Sequence, residues 1–210
     1  MTIDFDDINT YPIEIIEYAN QSDFDGYNKV DFEVIYPEYF EELLDKYKFI
    51  VYHCTRTLNI NNFKKHGILI PSDNRLKQIL YNDTSGCNID DIGELTLGRG
   101  LDIQFVFSYD EICIDKQYID FFKHIGGEIV EFTDNYNKEK LEKGNCYIIK
   151  FIIDGSEMKF KRWLIQKMIR KIKYNIPVDC SGSITHYVSP VDIKEYISAD
   201  EIYIKLKEMI

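Results

Sequence analysis

The sequence predicts an α+β fold for this chain of 210 residues. Short apolar runs rich in β-branched and aromatic residues are typical of buried strands, and segments with apolar residues at helical spacing lie between them. The two kinds of segment are intermixed without a regular strand–helix–strand alternation, which favours α+β over a doubly wound α/β sheet. The length is sufficient for one well-packed core.

Each element is predicted from its own local pattern. Strands are expected where apolar residues cluster or alternate with polar ones, at 49–54, 103–108, 128–132, 146–153 and 183–188. Helices are expected from apolar periodicity and end signals, such as Pro37 before one helix and Gly67 after another. The predicted helices are 13–18, 40–47, 59–67, 75–81, 118–124 and 161–174, and the segments 193–196 and 201–207 close the chain.

The distribution of charge divides the sequence into two parts. Residues 1–48 carry the strongest acidic bias and are predicted to form a helical segment that packs on a main domain of residues 49–210. The two parts are expected to form a single domain overall. The N-terminal segment could act as a lid over the main domain or as an arm that binds a partner.

Bulk composition excludes several classes of protein. The formal net charge of −11 opposes generic binding of nucleic acid. No apolar run approaches the roughly 18–20 residues that cross a bilayer, and the acidic N-terminus lacks the pattern of a signal peptide, so no membrane association and a cytoplasmic location are predicted. The five cysteines are widely spaced without a Cys-x-x-Cys pair, which predicts reduced thiols and no metal site.

Three blocks of sequence carry candidate chemistry. The first is Tyr52-His53-Cys54-Thr55-Arg56 at the end of a predicted strand, where polar side chains could bind a ribose or a phosphate. The second is the glycine loop Gly98-Arg99-Gly100 before the strand at 103–108. The third is Gly126-Gly127-Glu128, in which two glycines clear space before a carboxylate that opens a strand.

In this order the three blocks resemble the NAD site of ADP-ribosyltransferases, over roughly residues 50–132. Many members of that family have a strand that ends in Tyr/Leu-His-Gly-Thr, then a helix and a Gly-Ile or Gly-Leu turn, and YHCTRTLNINNFKKHGIL is similar to it. Cys54 stands where the family usually has glycine. Asp102 stands where the glycine block usually has a stacking tyrosine, and Tyr109 could serve in its place.

The resemblance implies a split, mixed or antiparallel sheet with flanking helices and a transferase that uses NAD as a substrate. It implies that His53 and Thr55 bind ribose, that Arg56 neutralises pyrophosphate, and that Gly100 and Tyr109 complete the NAD site. Glu128 would bind the ribose 2′-hydroxyl and stabilise the oxocarbenium-like transition state as nicotinamide departs. A microbial toxin, an effector delivered to a host cytoplasm, or a phage-defence component would fit, with a protein, a nucleic acid or a small molecule as acceptor.

Two other interpretations remain open. The chain could be a non-catalytic interaction module with a degraded site, or a phosphate-handling enzyme such as an RNA 2′-phosphotransferase. Residues 159–173 form a basic segment in an otherwise acidic chain, with no acidic residue from 158 to 174. This segment could bind a nucleic acid, an acidic protein or the acidic N-terminal segment, or it could be a solvated helix face.

Overall fold

Strands from across the chain form one sheet in the computed structural model, which describes residues 1–21, 35–57, 59–70, 103–119, 122, 144–178 and 180–210. The order is β5-β3-β2-β4-β6, and β1 pairs with β2. The strands are β1 (Thr2–Ile3), β2 (Lys48–Thr57), β3 (Ile103–Val106), β4 (Asn145–Asp154), β5 (Ser181–Ile184) and β6 (Ile193–Ser198). The β1–β2 pair is parallel, whereas β2–β3, β3–β5 and β4–β6 are antiparallel. A largely antiparallel sheet accompanied by helices confirms the α+β prediction.

Most of the described helices overlap segments that the sequence predicts to be helical. They are α1 (Ile13–Gln21), α2 (Tyr39–Leu44), α3 (Asn61–His66), α4 (Tyr109–Ile114), α5 (Lys161–Tyr174) and α6 (Asp200–Glu208). Helix α3 ends at Gly67, which has a positive φ of 77° and donates its N–H to the carbonyl of Phe63. No helix in the described ranges has both the length and the apolar character that crossing a membrane requires.

The chain forms two compact units, each built from separate stretches of sequence. Unit 1 comprises Met1–Val51, Phe107–Glu111 and Ile152–Cys180 and therefore includes the predicted N-terminal segment. In unit 1, α5 packs against α1 and α2. The rings of Phe5, Phe49 and Phe107 contact one another in its core, with centroid distances of 5.0 to 6.2 Å.

Unit 2 comprises Tyr52–Val106, Ile112–Phe151 and Ser181–Ile210. It holds the C-terminal part of β2, all of β3, β5 and β6, and most of β4. Helix α6 contacts the 3₁₀ turn Lys116–Tyr118 in this unit. The rings of Phe105 and Phe151 meet edge to face at 6.1 Å, as expected for buried aromatic side chains on neighbouring parts of a sheet core.

One predicted strand needs different bounds, one helix was not predicted, and three predicted elements lie wholly or mostly outside the described residues. The strand predicted at 183–188 instead spans Ser181–Ile184, because it pairs with β3, and Val188 forms an isolated bridge with Ile68. Helix α4 was not predicted. The predicted helix at 75–81 and the predicted strand at 128–132 lie outside the described residues, as does most of the predicted helix at 118–124.

Candidate functional site

The candidate site is built on the C-terminal half of β2, where residues 51–57 are all buried. Successive side chains of a strand point to opposite faces of the sheet, so His53 and Thr55 share one face while Cys54 and Arg56 share the other. The contacts of Arg56 and Cys54 agree with this assignment, since both interact with Cys146. The first predicted block is therefore divided between two faces of one strand.

The imidazole of His53 is oriented by a backbone carbonyl. His53 is 6% exposed, and its Nδ1 lies 2.8 Å from the carbonyl oxygen of Gln104 in β3. Because a carbonyl can only accept, Nδ1 carries the proton. Burial lowers the pKa of His53, which outweighs the opposing effect of the bond to Gln104, so the ring is neutral at pH 7.

This tautomer gives the other ring nitrogen a defined chemical character. With Nδ1 protonated in a neutral ring, Nε2 presents a lone pair and can only accept a hydrogen bond. The Nε2 atom is buried and has no hydrogen-bond partner among the described residues. A buried acceptor without a donor costs about 1–3 kcal/mol, so a hydroxyl or N–H donor from a ligand would be stabilised there.

Arg56 is engaged on the opposite face of β2. Its guanidinium lies over the ring of Tyr203 in α6, 4.5 Å from the ring centroid, and it hydrogen-bonds with Cys146 and Tyr203. The N–H of Cys146 donates to Asp200 Oδ1 at 2.7 Å. Arg56 thus links β2 to β4 and α6, and this position separates it from His53 and Thr55.

The thiols beside Arg56 are protonated. Burial raises the pKa of Cys54, and it raises that of Cys146 despite the opposing effect of Arg56. The Cys54 side chain points away from the face that carries His53. Within the described ranges, no group of three or more His, Cys, Asp or Glu residues could hold a metal ion.

The structure describes two of the four remaining predicted site residues, Thr55 and Tyr109. Thr55 is fully buried, on the same face of β2 as His53. Tyr109 is the first residue of α4 in unit 1, and its N–H donates to Asp6 Oδ2 at 2.7 Å. Gly100 and Glu128 lie outside the described residues.

The chain was compared with known protein families, curated proteins and solved structures. No protein-family model, curated protein or solved structure matches the chain. The geometry around β2 therefore defines the candidate site. Sequence reasoning identified His53 but not Gln104, which orients it; the two residues are 51 positions apart, and no local pattern connects them.

Proposed function

We propose that this protein is an ADP-ribosyltransferase that binds NAD on the face of β2 carrying His53 and Thr55. The observation that carries the proposal is the buried lone pair of His53 Nε2, which has no donor among the described residues. A ribose hydroxyl is a donor of suitable size and chemistry for such an acceptor. The resemblance of residues 50–132 to the NAD site of that family supports the same assignment.

The proposed roles follow from which side chains share a face. His53 would accept a hydrogen bond from a ribose hydroxyl through Nε2, with its ring held in place by Gln104. Thr55 lies beside it on the same face. Arg56 is excluded from the proposed site because it faces Tyr203, and its role is to anchor α6. Tyr109 donates its N–H to Asp6 within unit 1, and we assign its ring no role in NAD binding.

The catalytic carboxylate, Glu128, is assigned from the resemblance to ADP-ribosyltransferases. NAD supplies an activated bond between ribose and nicotinamide. Glu128 would hold the ribose 2′-hydroxyl and stabilise the positive charge that develops on the ribose as this bond breaks. Gly100 would let the backbone approach the ligand closely. The acceptor group then bonds to the same ribose carbon and loses a proton to solvent, which gives free nicotinamide and an ADP-ribosylated product.

The test is release of nicotinamide from NAD by the purified protein, with and without a cell lysate as acceptor. We expect turnover that falls by about 10²-fold or more in Glu128→Gln, because a group that stabilises developing charge is removed. His53→Ala should weaken NAD binding as well as turnover. Two matched controls, Glu131→Gln and His66→Ala, remove the same chemical groups. Alternation along the predicted strand assigns Glu131 to the face opposite Glu128, and His66 has no role in the proposed site, so both variants should retain wild-type turnover.

Circular dichroism first checks that each variant is folded. The NAD-binding and turnover results then distinguish the transferase from the non-catalytic module. Equal loss in Glu128→Gln and Glu131→Gln would contradict the assigned role of Glu128. NAD binding without turnover in the wild type would favour the non-catalytic module with a degraded site. Absence of both NAD binding and turnover would overturn the proposal.

A further inference from the structure

A second surface in unit 1 combines positive charge with exposed aromatic rings. A groove of about 630 Å³ lies at the start of α5. We name it the α5 groove; the lining residues used below are Glu41, Lys159, Phe160, Lys161, Arg162 and Trp163. Among the described residues that line it, three are cationic and one is a carboxylate.

The packing of α5 explains why this surface faces outward. Leu164, Ile165, Met168 and Ile169 are the buried residues of the helix, and α5 packs against α1 and α2. Arg162 and Trp163 lie on the exposed side at the first turn, and Lys167 lies one turn further along. The ammonium of Lys167 stands over the Trp163 ring, 5.1 Å from its centroid.

The charge of the groove opposes that of the chain. The formal net charge is −11, yet no acidic residue occurs from 158 to 174. Lys161 is paired with Asp45. Lys159 and Arg162 also line the groove, and Lys167 lies over the Trp163 ring, so positive charge surrounds the rings. The cations are spread from Lys159 to Lys167 along the chain. A ligand that contacts all of them therefore carries negative charges at intervals along its length.

The aromatic rings narrow the choice of ligand. Phe160 is 69% exposed and Trp163 is 37% exposed. Both rings are flanked by cations at the surface, whereas the anchors of a bound peptide usually fill desolvated apolar pockets. Alternating basic and aromatic side chains are the arrangement that binds single-stranded nucleic acid, through phosphate contacts and base stacking. A duplex keeps its bases stacked internally and cannot use the rings in this way.

We propose that the α5 groove binds single-stranded nucleic acid, with bases stacked on Phe160 and Trp163 and phosphates on Lys159, Arg162 and Lys167. This assignment does not depend on the proposed transferase activity. It concerns contacts within unit 1 alone. The negative charge of the rest of the chain then restricts binding to the groove itself.

Trp163 provides a direct readout because it is the single tryptophan of the chain. We expect a fluorescein-labelled oligothymidylate of about 15 nucleotides to bind the full-length protein and to quench the emission of Trp163. A duplex of the same length should bind more weakly. Affinity should fall as salt is raised from about 50 to about 200 mM, with a slope of about −2 in log K against log salt for three phosphate contacts.

Substitutions test the two kinds of contact separately. Trp163→Ala should weaken binding about tenfold or more, whereas Trp163→Phe should retain most of the affinity because a ring remains for stacking. Lys159→Gln combined with Arg162→Gln should weaken binding and make the salt slope shallower by about 1.4. Lys205→Gln combined with Lys207→Gln removes the same charge from α6, in unit 2, and should leave affinity unchanged.

The outcomes that would overturn the proposal are distinct. Binding that increases with salt would reflect relief of repulsion by the acidic chain rather than phosphate contacts in the groove. Equal loss in the α5 and α6 charge variants would show a nonspecific charge effect. Binding of a glutamate-rich peptide containing phenylalanine, with no binding of the oligothymidylate or of an oligouridylate, would assign the groove to acidic proteins instead. Circular dichroism of each variant checks that loss of binding is not loss of fold.

Discussion

Burial acts in opposite directions on the pKa values of two side chains, His53 and Asp6. It lowers the pKa of His53, because the protonated ring loses its hydration. Burial raises the pKa of Asp6, and this effect outweighs the lowering caused by the hydrogen bonds from Ser108 and Tyr109. The nearby carboxylates of Asp110 and Asp4 raise the pKa further. In both cases the neutral form is the one favoured by the folded state.

Protonation of His53 should destabilise the fold in mild acid. The unfolded chain takes up a proton near the ordinary pKa of 6.5, whereas the folded chain does so only at lower pH. Stability is therefore lost as the pH falls below that value. We expect urea unfolding from about pH 7.5 to about pH 5.5 to show a steeper loss of free energy in wild type than in His53→Gln. Parallel curves would contradict a lowered pKa.

Asp6 should give the reverse dependence at more acidic pH. The unfolded side chain ionises near 3.8 and the folded one at higher pH, so its favourable contribution is present below 3.8 and is lost as the pH rises through the folded pKa. The stability of wild type relative to Asp6→Asn should therefore decrease from about pH 3.5 upward and then level off. An increase over that range, measured by thermal unfolding, would show that the bonds to Ser108 and Tyr109 dominate instead.

Among the elements, the 3₁₀ turn after β4 depends on one close backbone approach. A Cβ at Gly155 would lie 1.9 Å from the carbonyl oxygen of Leu44 and 2.9 Å from that of Tyr47. The N–H of Gly155 also donates to the Tyr47 carbonyl at 2.9 Å. Any side chain at this position must push α2 and the turn apart.

Gly155→Ala should consequently destabilise the protein by about 2–3 kcal/mol, the upper part of the cost of about 1–3 kcal/mol that is typical of overpacked sites. The neighbouring Ser156→Ala is the matched control, since Ser156 is exposed and its truncation should change stability by less than about 0.5 kcal/mol. Chemical denaturation of both variants provides the measurement. Similar stabilities would show that α2 shifts at little cost.

Periodicity predicted the long elements better than the short ones. Helix α5 has the predicted bounds because its apolar residues recur over four turns and Asn175 ends it in the left-handed conformation. Helix α4 was missed, although Ser108-x-x-Glu111 is the sequence signature of a capping box. Ser108 Oγ does accept from the N–H of Glu111 at 3.2 Å, which satisfies one donor of the first turn.

Helix α5 also shows where periodicity fails to predict the burial of a single residue. Helical spacing groups Trp163 with the apolar Leu164 and Met168, yet Trp163 remains 37% exposed, while Ile165 and Ile169 complete the buried face. The candidate site shows a comparable limit. The sequence pattern grouped His53 and Arg56 in one block at the end of a strand predicted to stop at residue 54. Because β2 continues to Thr57, the two side chains lie on opposite faces of it.

At the scale of the whole molecule, the excess of acidic side chains sets the response to salt. The net charge is −11 at pH 7, so the folded chain repels itself at low ionic strength. We expect the thermal midpoint at pH 8 to rise between about 10 and about 200 mM NaCl, because screening acts over about 10 Å at 0.1 M. A midpoint that falls would show that ion pairs such as Lys161 with Asp45 outweigh the repulsion.

The division into two units has a consequence for how the chain folds during synthesis. Unit 1 needs residues 152–180 as well as 1–51, so α1 and α2 emerge from the ribosome long before α5, on which both pack. Until then the apolar faces of α1 and α2 lack that partner and are exposed to misassociation. A chain truncated at residue 151 would lose α5 permanently, and cleavage at 48/49 would remove β1 from β2. Neither unit can therefore be expressed as a simple fragment.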